Sequence, residues 1–186
     1  TGDDISQIYG QPAPASLRKV AGHVTAEYAR LIEASRFCVL ATVGPRGVDA
    51  SPRGDDGPVA RLLDPNHVAL PDWKGNERID SLRNIVRDGR VSLLFLVAGS
   101  TTALRVNGTA RLSAATDLCA SFSRDGKVPR TVIVIRISEV YSQCARALIR
   151  AGLWTAGDQS AGLPSVGDML REITEGRLDG ASYDAE

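Results

Sequence analysis

Six or more extended runs share this chain with only one long helix between them, and that shortage of helices constrains the fold more than any motif. A doubly wound parallel sheet needs a helix after nearly every strand. The expectation is therefore mainly β with α: a closed β-barrel of about six antiparallel strands with peripheral helices. The extended runs fall at residues 37–43, 48–52, 59–63, 67–71, 91–97, 104–111 and 131–141, the last rich in Val and Ile.

The chain is organised around residues 67–97. His67-Val68-Ala69-Leu70-Pro71 reads as a strand, and Asp72-Trp73-Lys74-Gly75-Asn76 as a turn. Asn76 is placed as an N-cap, predicting a helix from Asn76 to Asp88. Ile79, Leu82, Ile85 and Val86 then recur at helical spacing as its apolar face, and Gly89 ends it. Val91 to Val97 is apolar at nearly every position, as in a strand covered on both sides.

The polar side of that helix carries the functional signal. Asn76 and Arg78 fall in its first turn and Ser81 in its second, where free N–H groups and the helix dipole favour an anion. A preceding glycine, a cation and short polar donors together suit a phosphate. A second anion-friendly segment, Ser51-Pro52-Arg53-Gly54-Asp55, lies upstream. A solvated, capped first turn would use the same residues.

Formal net charge is zero, with 22 basic and 22 acidic residues, so no nucleic-acid or anionic-membrane surface is expected. No apolar run approaches a membrane span. Cys38, Cys119 and Cys144 are odd in number and set far apart, and they read as buried thiols in a reducing, cytoplasmic compartment. His23 and His67 have no ligand spacing around them, so no metal site is expected, and His67 reads as a packed or capping residue. Trp73, among Asp, Lys and Gly, reads as part of a surface turn. Residues 1–14 are expected to form an N-terminal arm, and 15–186 a single domain with a C-terminal helical extension, starting with a helix over 15–35. Gly-x-Gly-x-x-Gly and Walker signatures are absent.

With these segments assembled, the chain resembles the pyridoxamine 5'-phosphate oxidase-related FMN-binding split barrels. The likeness rests on Phe37–Thr42, Asp49–Asp55, Gly75–Ile85, Arg90–Phe95 and Leu104–Gly108. The late elements Arg150–Trp154 and Asp179–Asp184 resemble those of an uncharacterised bacterial subgroup of that class. The resemblance implies FMN held at a homodimer interface and a small-molecule substrate. It implies that Ser51, Pro52 and Arg53 lie along the flavin, that Asn76 and Arg78 hold the phosphate, and that the segment of Thr102, Leu104 and Arg105 reaches the ring edge. Arg150 and Trp154 would approach from the second subunit. Glu77 stands where a second phosphate-binding cation is expected, and a late Arg-x-His pair is missing, which argues against pyridoxamine phosphate as substrate. An FMN-dependent oxidoreductase is the expected activity. The alternatives are a flavin-storing or flavin-sensing protein without turnover, or a barrel binding deazaflavin or haem.

Overall fold

A computed structural model describes residues 2–185, the side chains of residues 2, 3 and 6 apart. The first elements are helices α1 (Gly2–Tyr9), α2 (Pro14–Arg18) and α3 (Ala26–Ala34). Four strands follow, β1 (Phe37–Gly44), β2 (Gly47–Gly54), β3 (Arg61–Asp64) and β4 (His67–Asp72). Then come α4 (Asp80–Arg87), β5 (Arg90–Leu96), β6 (Ala103–Ser113), α5 (Thr116–Ala120) and β7 (Thr131–Gln143). Helices α6 (Arg146–Arg150), α7 (Val166–Ile173) and α8 (Gly180–Asp184) complete the chain.

The strands form one antiparallel sheet in the order β2-β1-β5-β6-β7-β4-β3. The split-barrel class stands, with seven strands rather than six. Backbone closure does not: among the described residues no ladder joins β2 to β3, and both remain edges.

Period-two burial builds the core. Cys38 and Leu40 of β1, Leu93 and Phe95 of β5, and Leu104 and Val106 of β6 all point into one interior. The strand covered on both faces is β7, not β5. Ile133, Ile135 and Ile137 enter the main core, while Val132 and Val134 meet Ala69 and Cys119 beneath α5. That explains the unbroken Val/Ile run of β7. On β5 only alternate residues are fully buried, with Ser92, Leu94 and Leu96 half-buried between them. Register shifts at Asn107/Gly108, where a Cβ on Gly108 would lie 2.2 Å from the Arg136 carbonyl oxygen. Only glycine allows β6 and β7 to approach so closely.

The helix expected over 15–35 divides. Thr25 caps α3 by accepting the Tyr28 N–H, and Ala21 instead bridges to Val140 of β7. Residues 1–14, expected as an arm, carry α1, while α2 opens the span expected as one helix; Thr1 and Glu186 lie outside the described residues.

The central helix also starts later than the sequence suggests. Ile79, in left-handed backbone at φ 49°, occupies the N-cap position of α4, and Asn76 lies in the loop before it. The Asn76 side chain accepts the Arg78 N–H at 3.2 Å, a local turn of the kind that competes with helix. Within α4 the buried face is Ser81, Asn84 and Ile85, with Leu82 packed beside it. Val86 is 76% exposed and Ile79 44% exposed, so neither belongs to the buried face. The face turned because Asn84 is buried against β1, its amide donating to Thr42 Oγ1 at 3.0 Å.

Contacts divide the chain into two compact units, residues 1–151 and 152–186. The second is a helical pair. Gly167 and Gly180 face each other so tightly that a Cβ on Gly167 would sit 2.1 Å from the other's carbonyl oxygen, and Asp184 accepts the Gly167 N–H. Ser165 and Asp168 close α7 with a reciprocal capping box.

Replacing Ile85 by Ala is expected to destabilise by about 2–5 kcal/mol, as for a fully buried aliphatic side chain. Replacing Val86 by Ala should stay within about 0.5 kcal/mol, as at an exposed site. Denaturant titration of both variants checks the register of α4; comparable losses would contradict it.

Candidate functional site

A groove of about 800 Å³ lies between β2, the loop 72–79 and the first turn of α4. Its size falls within the range of small-molecule sites. Alternation along β2 turns Asp49, Ser51 and Arg53 to its half-buried side. The opposite wall is Asp72 through Leu82, and Arg130 and Thr131 close one end. Thr131 arrives by strand pairing, since β7 opens directly opposite Asp72.

Side chains span the open seam between β2 and β4. Arg53 donates to Asp72 Oδ1 at 2.8 Å, with both side chains more than three-quarters buried. One residue beyond β2, Asp55 accepts the Trp73 indole N–H at 3.0 Å and pairs with Arg124, which also reaches Asp56. Burial pushes the Asp55 carboxyl up. Hydrogen bonds from Trp73 and Asp56 and the Arg124 charge outweigh it, and the group ends below its ordinary value of 3.8.

The groove is electrically balanced in a specific way. Arg53 pairs with Asp72, Arg78 with Asp80, and Arg130 with Glu77 at 3.3 Å. Lys74 is the cation of the groove that makes no ion pair among the described residues. The hydrogen bond to Asp80, then its charge, hold Arg78 protonated above its ordinary range. Among the described residues, the buried polar atoms Arg53 Nε and Thr131 Oγ1 have no partner, and both belong to groove-lining residues. An orphan donor and an orphan hydroxyl at one cavity are unusual enough to require a reason. The loop is strained as well: Glu77 at φ 58° and the β-branched Ile79 at φ 49° hold left-handed backbone.

Of the residues marked in the sequence, Ser51, Pro52, Arg53, Asn76, Arg78 and Ser81 come together here. Leu104 is 1% exposed in the barrel core. Thr102 sits in the turn before β6, its N–H donating to Ser100 Oγ. Arg105 stacks beside Tyr141 and donates to its hydroxyl at 3.2 Å. Arg150 is exposed at the end of α6, and Trp154 belongs to the second unit.

Trp73, expected in a surface turn, is half-buried and lines the groove. Asp72, Arg130 and Thr131 also line it without having been marked. They meet only through the β4–β7 ladder, which joins positions nearly sixty residues apart and leaves no local signal. Cys144, expected buried, is exposed, whereas Cys38 and Cys119 are buried. Burial raises the Cys38 thiol to about 12 despite the nearby Arg53, which makes it an inert core residue. His67 closes its turn against Asp64 at 2.8 Å. No group of three or more His, Cys, Asp or Glu side chains converges among the described residues, and no helix is long and apolar enough to cross a membrane.

Residues 24–144 match the sequence profile described as pyridoxamine 5'-phosphate oxidase, a span that holds the whole seven-stranded sheet and the groove. The chain belongs to the pyridoxamine 5'-phosphate oxidase family. Solved structures agree on the fold. A Lactobacillus delbrueckii protein, provisionally named as a pyridoxamine 5'-phosphate oxidase, is 26% identical with a TM-score of 0.51, over 65% of this chain and 95% of its own. The HupZ protein of Group A Streptococcus is 19% identical with a TM-score of 0.51, over 65% of this chain and 94% of its own. No curated protein matches the chain.

The Asp55 network predicts acid sensitivity of that seam. Because its folded pKa is depressed, its stabilisation is complete above pH 3.8 and is lost as pH falls through the lower folded value. Melting temperatures followed from about pH 6 down to about pH 3 should fall more steeply in the natural protein than in Asp55→Asn, which has no such proton to take up. Parallel curves would remove Asp55 from the seam.

Proposed function

We propose that the groove binds FMN and that the protein is an FMN-dependent oxidoreductase acting on a small molecule. The observation that carries this reading is the groove itself, lined by residues of the family's matched span and bordered by the unsatisfied Arg53 Nε and Thr131 Oγ1. Its residues fit a phosphorylated ring system. Lys74, Asn76 and Arg78 stand at the loop as donors to a phosphate, and Ser51, Pro52 and Arg53 form a strand wall along which a flat ring can lie. Trp73 adds an aromatic surface on the opposite wall.

When bound, FMN supplies the redox chemistry, so no side chain of the chain needs to act as acid or base. The protein's share is positional. Arg53, fixed by Asp72, keeps one donor direction free at Nε, and Ser51 offers a hydroxyl on the same face of β2. Arg78 can take a phosphate only by exchanging Asp80 for it. That exchange offsets part of the gain, because the pair is exposed and weak.

The protein is further proposed to act as a homodimer. The outer face of β1 and β5 carries half-buried Val39, Ala41, Leu94 and Leu96, an apolar surface a second copy would cover. In that assembly Thr102, Arg105, Arg150 and Trp154 are the residues proposed to reach the flavin of the other subunit. A soluble, cytoplasmic setting follows from the same reading.

Absorption spectroscopy of purified protein is the direct test: an FMN spectrum supports the reading, and a haem or deazaflavin spectrum replaces it. Arg78→Ala should weaken FMN binding about tenfold, the equivalent of about 1.4 kcal/mol, and leave riboflavin binding unchanged. Asp80→Asn, which frees Arg78, should tighten FMN by a few-fold, again without effect on riboflavin. Equal losses for both ligands would indicate a folding defect and remove the phosphate role. An FMN complex that neither NADH nor NADPH reduces would favour storage or sensing.

A further inference from the structure

A second concavity of about 360 Å³ lies against the same helix, between the β1–β2 hairpin and α4. Arg46 comes from the hairpin turn, and Arg83 and Arg87 come from one side of α4, four residues apart. None of the three makes an ion pair or side-chain hydrogen bond among the described residues. Asp49, Arg78 and Asp80 also line the notch, and Arg78 and Asp80 pair with each other. Three uncompensated guanidinium groups therefore face one small space with Asp49 as the remaining acid.

Like charges one helical turn apart are mildly unfavourable, and this chain shows how readily it could have avoided them. Each arginine of the neighbouring groove has an acidic partner, while Arg46, Arg83 and Arg87 have none among the described residues. The notch is also built rather than accidental. Gly44 lacks a side chain where a Cβ would come within 3.0 Å of Asn84 Oδ1, so Asn84 can pass to Thr42 and bond it. That buried contact fixes α4 against the end of β1, and with it the separation of Arg83 and Arg87 from the hairpin that carries Arg46.

We infer that this notch is a second anion site, selective for the phosphate or diphosphate group of a small molecule other than the groove's occupant. Guanidinium forks match phosphate oxygens in bidentate pairs, and three converging forks suit a polyanion better than a single carboxylate. The notch shares Asp49, Arg78 and Asp80 with the groove, so a molecule anchored there would reach toward the groove's contents. Such a ligand is a phosphorylated substrate or a nucleotide reductant. The notch keeps this chemistry whether or not the groove holds FMN.

The test titrates inorganic pyrophosphate calorimetrically into the full-length protein, once as purified and once saturated with FMN. Saturable binding of similar strength in both is expected, weakened about tenfold or more in the Arg83→Ala/Arg87→Ala variant and in Arg46→Ala. FMN affinity should stay within about twofold in those variants. A control pair, Arg36→Ala/Arg111→Ala, removes the same charge elsewhere on the exposed surface and should leave pyrophosphate binding intact. Replacing pyrophosphate by NADPH and by a phosphomonoester then distinguishes nucleotide from substrate. Displacement of pyrophosphate by FMN would make the notch the far end of the flavin groove and overturn the inference. So would equal losses in the control pair, or no saturable binding at all.

Discussion

The ion pair between Arg53 and Asp72 is the contact on which the candidate site depends. Backbone hydrogen bonds hold six neighbouring strand pairs together, but among the described residues no ladder spans the seam at which the sheet stays open. There the connection is made by side chains: Arg53 to Asp72, and Asp55 to Trp73 and Arg124. A ladder would have filled the seam with backbone and left no groove. Side chains hold the walls at a fixed distance while leaving space between them. With both partners mostly buried, losing either one would strand a charge, so the pair is more costly to break than a surface bridge.

Strain accumulates beside that seam. Two left-handed non-glycine residues, Glu77 and Ile79, delay the start of α4 and lay out the loop from Lys74 to Ile79 as a wall. Such backbone persists only where its surroundings over-determine it. Here Ile85 and Asn84 anchor the helix on one side, and Trp73 anchors the loop on the other. The strained segment therefore runs between two fixed points, one on β1 and the other at the seam.

Much of this was readable in the sequence, and the limits follow from physics. The strands were legible as apolar or alternating runs between turn residues, such as residues 91–97, 104–111 and the Val/Ile-rich 131–141, although β5 is fully buried only at alternate residues. The order of those strands was not, since a ladder such as β4–β7 joins segments with no local likeness. Ser51, Arg53 and Arg78 could be found as cations and donors on the expected elements. Asp72 and Thr131 could not, because they matter through register alone. The start of α4 was misplaced because Asn76, a good capping residue, spends its side chain on a loop turn instead. Its face was misread because helical periodicity counts apolar residues, and the position that α4 buries against Thr42 is a hydrogen-bonded asparagine.

The distribution of charge ties the groove to its neighbour. Guanidinium groups that converge without a ligand repel one another, and in the groove Asp72, Asp80 and Glu77 offset that repulsion. Those carboxylates neutralise the arginines of the groove, so the anion proposed to bind there would have to displace them. In the notch, Arg46, Arg83 and Arg87 form no ion pair among the described residues, on a scaffold that the Asn84–Thr42 bond holds in place. Solvent and salt screen such exposed charges, which makes the arrangement tolerable without making it favourable. Arg83 and Arg87 of α4 thus stand unpaired beside the notch, while Arg78, in the loop before that helix, is neutralised by Asp80. Arg78, lining both spaces, is where the two electrostatic regimes meet.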